Sequence, residues 1–347
     1  MRAGELTQYR RYVGTLGSQP VVVELFTGRE YVGQEQPVCR GHYYDARRGT
    51  TKTFSSEPFY PRKQLRLAAS SYDDTDSTEH WQLRQPLGPR LTGTVTAANK
   101  PRRRLTLREN YTDAVPLAIG TAQMYGNSMR LHNDDNREEL HTFAGSVLLQ
   151  YVRLLGRAAH QPRLQRILSS RPAELRAELR EEFSEDSVSL YSIKEELSLD
   201  LNDYGILSYS KYVSDYEDGG NHSGASFPAF TFDLRTGRPI TLASLVKPGN
   251  RKALMRLALR YLDPNYRQEL SNFYNSPSNA DALKDDYDAL KETFGLSPKG
   301  LTLQGLLGPY ALGPTIITIP YAALRPLLRP RTPLNRVLVA RGLQPVL

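Results

Sequence analysis

The stretch Tyr12–Phe26, YVGTLGSQPVVVELF, decides the architecture of the first part of the chain. Tyr12-Val13-Gly14-Thr15-Leu16 is aromatic and β-branched around a central glycine, Gly17-Ser18 is a turn, and Val21–Phe26 is a second extended run. The same shape recurs. Cys39-Arg40-Gly41-His42-Tyr43 leads through Arg47-Arg48-Gly49 into Thr51–Phe54, and Leu91-Thr92-Gly93-Thr94-Val95 leads through Asn99-Lys100-Pro101 into Leu105–Leu107. Glycine inside a strand marks a bend or bulge, and repeated bends are what curl a sheet toward closure. Leu65–Ala68 and His80–Leu83 add two more strands. Residues 1–112 are therefore expected to form an antiparallel β-barrel or meander. Small barrels either hold a ligand at the mouth or are filled by side chains; the filled form is the expectation here.

Composition sets the outer bounds. A chain of 347 residues, 39% hydrophobic, can bury a real core and has the length of two domains. The single cysteine, Cys39, excludes an internal disulfide framework and a cysteine-rich zinc site. No apolar run approaches the roughly 18 residues of a membrane-spanning helix; the longest, Pro20–Phe26, is interrupted by Glu24. The N-terminal MRAGELTQYRRY contains no apolar segment of the kind a signal peptide needs.

The net charge of +8 is uneven, with 18 Lys+Arg against 12 Asp+Glu in residues 1–116 and 15 against 17 in residues 185–330. The densest run, Arg102-Arg103-Arg104, is expected as a solvated turn that protects a sheet edge. No recognition helix or nucleic-acid motif accompanies it, so no nucleic-acid partner is expected. Tyr72–His80 is acid-rich but lacks the glycine and glutamate that a calcium loop needs, and reads as an exposed loop. His132 and His141 match no zinc spacing. No metal and no cofactor is expected.

Beyond the linker Glu109–Pro116, residues 113–330 read as a second domain of mixed strands and helices. Leu117–Met124 is a strand. From Thr142 the apolar residues Val147, Leu148, Tyr151, Leu154 and Leu155 fall at three- and four-residue steps, which predicts a helical connector over residues 142–184, with Pro172 at the start of its second helix. Tyr191–Leu201 alternates: Tyr191, Ile193, Glu195, Leu197 and Leu199 share one face, Ser192, Lys194, Glu196, Ser198 and Asp200 the other. Asn202–Gly205 is a turn and Ile206–Val213 returns as the hairpin partner. Residues 250–262 are a helix with Leu254, Leu257, Ala258 and Tyr261 inward. Phe294–Leu303 is a hairpin, Thr315–Ile319 a buried strand, and Pro320 opens a short helix to Leu327. Strands and helices segregate, so the expected class is α+β. Residues 331–347 are a Pro/Arg-rich tail.

Within this second domain, residues 208–242 stand out: SYSKYVSDYEDGGNHSGASFPAFTFDLRTGRPITL. A strand is followed by a glycine-rich loop, a second strand with Phe230 and Phe232 on one face, and a turn at Arg235-Thr236-Gly237. GGNHSG followed by FDLRTGRPITL, then FGLSPKGL and GPYALGPTIITIPYAALRPLL, resembles the RsiV family over roughly residues 185–330. RsiV-like proteins are membrane anti-sigma factors whose extracytoplasmic domain is a receptor for lysozyme, and a similar domain accompanies some peptidoglycan deacetylases as a non-catalytic part. The family loop more usually has Ala where Asn221 stands. No sigma-binding segment, membrane helix or deacetylase ligand set is visible here.

The resemblance implies a non-enzymatic protein of the bacterial cell envelope, periplasmic, cell-surface or secreted, that binds a protein or cell-wall glycan. The loop 216–224 would make the contact, with Tyr212, Tyr216, Asp218, Asn221 and His222 as binding residues. Tyrosine suits this role because it offers rigid amphipathic area with a hydrogen-bonding end. The alternative is a cell-wall polysaccharide hydrolase using His222 as general base with Asp215, Glu217, Asp218 or Asp233. No nucleophile elbow, P-loop or dinucleotide motif supports an enzyme of another class.

Overall fold

A computed structural model describes residues 2–3, 7–29, 34–60, 64–71, 74–84, 87–134, 137–165, 191–217, 224–262, 268, 293–305 and 315–347. A two-residue strand β1 (Arg2–Ala3) precedes eight strands that meander in chain order: β2 (Thr7–Leu16), β3 (Gln19–Gly28), β4 (Val38–Asp45), β5 (Thr51–Pro58), β6 (Leu65–Ser71), β7 (Asp74–Leu83), β8 (Arg90–Ala97) and β9 (Lys100–Glu109). β9 returns to β2, from Leu16 opposite Leu105 to Tyr12 opposite Glu109, and closes the barrel. Closure leaves no unpaired edge along that seam, which removes a template for aggregation.

The mid-strand glycines sit where closure brings backbones together. A Cβ at Gly14, Gly41 or Gly93 would fall 2.1, 2.0 or 2.3 Å from the carbonyl oxygen of Thr106, Glu24 or Gln82. Gly41 also adjoins a register shift between Cys39 and Gly41. The interior is filled. Trp81 is fully buried, with its ring 4.7 Å from that of Tyr43 and edge-on to Phe54 at 5.0 Å, and Leu16, Leu25, Leu83, Leu91 and Leu105 close around them. Burying side chains of this size stabilises by about 1.5–3 kcal/mol each. Tyr72–His80, expected as a loop, instead runs into β7 from Asp74 onward.

The sheet continues out of the barrel. β10 (Leu117–Asp134) borrows the first residues of β2, pairing Ala118 with Gln8 and Ile119 with Thr7, and forms a long hairpin with β11 (Arg137–Leu154). The expected helix from Thr142 is thus a strand as far as Leu154. The physical reason is burial on both faces: Val147 and Leu149 enter one small cluster while Val152 and Leu154 enter another core. A strand covered on both sides carries a near-continuous apolar run, and such a run mimics helical spacing. The second helix, at Pro172, lies outside the described residues.

β12 (Tyr191–Asp203) joins β11 in parallel and forms a hairpin with β13 (Ile206–Glu217). Its turn, Tyr204-Gly205, has φ of 57° and 68°, both left-handed, as a two-residue hairpin turn with the right twist requires. β14 (Gly224–Ser226) and β15 (Ala229–Asp233) both pair with β13, and β16 (Arg238–Pro239) pairs with β15. Tyr209 stacks on Phe230 and Phe232 at 5.2 and 6.2 Å, the shared face read from the sequence.

A separate sheet of β17 (Phe294–Leu296), β18 (Gly300–Gly305) and β19 (Thr315–Pro320) packs with the helix Arg251–Tyr261. That helix buries Leu254, Met255 and Ala258, whereas Tyr261, expected inward, is 44% exposed and Leu262 takes the inward place. Residues 331–347 are more than a tail. The helix Leu334–Ala340 places Leu334, Val337 and Leu338 at zero exposure in the same core as β17–β19. The described chain is mostly β with few helices. The helical share expected of an α+β chain is reduced chiefly because residues 142–154 are strand.

The barrel and the second half share a buried polar seam. Arg11 meets Asp203 at 2.6 Å, the Tyr44 hydroxyl donates to Asp203 at 2.7 Å, and the Asn202 amide pairs with both backbone groups of Val115. From the C-terminal segment, Arg341 donates to the carbonyls of Asp45 and Pro298, at 3.1 and 3.0 Å, tying the barrel to the β17–β18 turn.

Candidate functional site

A concavity of about 1230 Å³ lies between three β-faces. The outer wall of the barrel contributes Arg40 and His42 from β4 and Thr51 and Thr53 from β5. The β12–β13 hairpin contributes Glu196, Ser198, Asp200, Ser210 and Tyr212, and the small sheet contributes Thr302, Gln304, Ile316 and Thr318. Strand alternation explains the chemistry. Lys194, Glu196, Ser198 and Asp200 are the polar face of β12 read from the sequence, and it is this face that lines the groove while Leu197 and Leu199 are buried.

Two features give the groove a reactive side. Glu24 on β3 faces His42 on β4 across the ladder, with carboxylate and imidazole Nε2 2.6 Å apart, and the Tyr9 hydroxyl donates to the other Glu24 oxygen. Glu24 is fully buried and the His42 side chain beside it is 15% exposed. Asp200 lies beside this group. Burial pushes its carboxyl up to about 7, against a hydrogen bond from Ser210 at 3.2 Å and the nearby His42, both of which favour the charged form. Its Oδ2 is sealed from solvent with no hydrogen-bond partner among the described residues. A carboxyl pushed up to about 7 beside a histidine that faces a buried carboxylate has the elements of acid–base chemistry. A groove of hydroxyl, amide and paired charged groups also suits a polar ligand. Lys194 pairs with Glu196 and Lys211 with Glu195, each at 2.7 Å.

Of the residues singled out in the sequence, Tyr212 is in the groove: it is 37% exposed and its ring lies 5.3 Å from that of Phe227. Tyr216 is near the end of β13, opposite Ser192. Asp218, Asn221 and His222 lie outside the described residues. Asp233, one of the carboxylates offered to His222, is committed elsewhere: it takes Arg336 at 2.7 Å and accepts from Arg235 N–H and Thr236 in its own turn. Sequence reading missed His42, Glu24 and Asp200 as a group. One signal was present, a lone acid interrupting the apolar run Pro20–Phe26.

Among the described residues no cluster of three or more His, Cys, Asp or Glu could hold a metal ion, and no helix is long and apolar enough to cross a membrane. No family model and no curated protein matches the chain. Among solved structures it is similar to a member of the DUF3298 family from Bacteroides fragilis, with TM-score 0.40 and 18% identity over 61% of this chain and 94% of that one. It is also similar to a DUF3298 family protein from Pseudomonas aeruginosa, with TM-score 0.38 and 17% identity over 64% of this chain and 97% of that one. Both likenesses are too distant to carry a function to this chain.

Proposed function

We propose that this protein is a non-enzymatic binding protein of the bacterial cell envelope that takes a protein or cell-wall glycan ligand through the groove and through residues 216–224. The observation that carries the reading is the groove itself, with Tyr212 and Phe227 as an aromatic pair at one side and hydroxyl and amide side chains from three β-faces around it. Aromatic area beside dense hydrogen-bonding groups fits a sugar ring or an extended peptide. The resemblance of residues 185–330 to the RsiV family supports the envelope location and the ligand class.

A second reading, cleavage of a cell-wall polysaccharide, has one specific observation in its favour: the Asp200 carboxyl pushed up to about 7 near His42, which faces the buried Glu24. It would place the chemistry at these residues instead of at His222.

Titration calorimetry against soluble peptidoglycan fragments and against lysozyme, with the mixtures analysed for products, separates the two. Binding without products, weakened about tenfold or more by Tyr212→Ala, is the expected result. Products that disappear in Asp200→Asn would replace binding by hydrolysis. Neither binding nor products would remove both readings.

A further inference from the structure

The barrel interior changes character at one end. Two residues along their strands from the apolar Val21, Phe54, Ala69, Trp81 and Leu105 come Gln19, Lys52, Ser71, Glu79 and Arg103. By strand alternation these face the same interior, as its outermost layer, at the end where the β2–β3, β4–β5, β6–β7 and β8–β9 hairpins turn. Together with Lys100 they line a hollow of about 340 Å³. Tyr43, packed against Trp81 in the barrel interior, also lines it, and its volume admits only a small molecule.

Among the described residues the charges that line this hollow are in positive excess. Glu79 has a side chain 5% exposed; it accepts from the Tyr43 hydroxyl and meets Arg103 at 2.9 Å and Lys52 at 3.3 Å. Its carboxyl is lowered although burial raises it, because Tyr43, Lys52 and Arg103 all favour the charged form. Among the described lining residues one carboxylate faces three cations, Lys52, Lys100 and Arg103. The Lys52 and Arg103 side chains are only 19% and 25% exposed, so water screens them less than it would a surface pair. Glu79 accepts one of the five N–H donors of Arg103, and holds that side chain across the mouth. A half-buried concavity with excess positive charge concentrates anions, and a guanidinium fork matches the paired oxygens of a phosphate or carboxylate.

We propose that the hairpin-end mouth of the barrel is a binding site for a small oxyanion, a phosphate- or carboxylate-bearing solute, held by Arg103, Lys52 and Lys100, with Glu79 as the residue that positions Arg103. This site lies inside the barrel end, and Thr51 is common to its lining and that of the groove. It also divides the Arg102-Arg103-Arg104 run: Arg103 turns into the barrel, while Arg102 reaches outward to Thr94 on the neighbouring strand.

The test is calorimetric titration of the full chain with inorganic phosphate and with citrate, each at constant ionic strength set by sodium chloride. Saturable binding of at least one is expected, and which one binds separates a phosphate ligand from a carboxylate ligand. Arg103→Gln should weaken it about tenfold or more, and Arg102→Gln, which removes an exposed neighbouring charge, by less than about twofold. Lys52→Gln serves as a second variant should Arg103→Gln fail to fold, with a loss in the same direction. Absence of saturable binding, or equal losses in Arg102→Gln and Arg103→Gln, would overturn the proposal.

Discussion

In the barrel, residues 7–109, each strand bonds to its neighbour in sequence, and the β2–β9 seam is the single long-range pairing. The C-terminal core is assembled differently. Leu201 and Ile206 from one hairpin, Leu254 and Ala258 from a helix, Leu301 and Ile319 from a second sheet, and Leu334, Val337 and Leu338 from the end of the chain meet in one cluster. Local pairing lets a short stretch of sequence declare its own structure. Assembly from distant segments does not, because no single segment buries its apolar face alone. The two regions meet across a seam whose charges are buried, so they are coupled despite these different origins.

That contrast can be broken at several points. The largest effect is expected at the barrel's centre: Trp81→Ala removes a fully buried ring contacted by Tyr43 and Phe54, at a cost of about 3–5 kcal/mol in urea unfolding. A loss below about 1 kcal/mol would mean that the barrel interior relaxes around the void and is less filled than its burial indicates. At the seam, Arg11→Met leaves Asp203 buried without its cation, at a cost of about 3–5 kcal/mol. A unit in which the halves are coupled unfolds in one transition. Two resolved transitions in the variant, seen by tryptophan fluorescence for the barrel and far-ultraviolet circular dichroism for the whole, would show that this contact supplies the coupling.

In the C-terminal core, Leu338→Ala is expected to cost about 2–5 kcal/mol. Limited proteolysis should then cut the C-terminal half before the barrel. Cleavage of the barrel first would place the weaker region on the other side of the seam. The last effect is one of pH. Asp200 holds its proton in the folded chain to about pH 7, while in the unfolded chain it releases it near its ordinary 3.8. The folded state therefore binds more protons between these values, and stability falls as pH rises through that window. Asp200→Asn removes this dependence. Relative to the parent its stability should improve from pH 4 to pH 8, measured by urea midpoints, and a constant difference across that range would show that Asp200 is ionised in the fold.

Much of the barrel is legible because its signals are local. Gly14, Gly41 and Gly93 mark places where a neighbouring carbonyl leaves no room for a Cβ. The β12–β13 hairpin is legible for the same reason, with left-handed Tyr204-Gly205 between alternating runs. The β10–β11 hairpin misleads because Val147, Leu149, Val152 and Leu154 are buried on opposite faces, and this blurs the period of two. Leu334–Ala340 has too few residues to show a helical period, and its burial depends on β17–β19 far earlier in the chain.

The candidate site divides along the same line. Tyr212 and the polar face of β12 follow from alternation alone, since a strand two residues per repeat must present Glu196, Ser198 and Asp200 together. Nothing local tells that this face lies opposite Arg40 and His42 of the barrel, or that Glu24 stands directly across a ladder from His42. Likewise the Arg102-Arg103-Arg104 run is visible in the sequence, but only barrel closure carries Arg103 inward to Glu79. Side-chain alternation is a property of one strand and can be read along it. Register, closure and the facing of one sheet by another depend on contacts between residues far apart in the chain, and these exist only once the tertiary structure has formed.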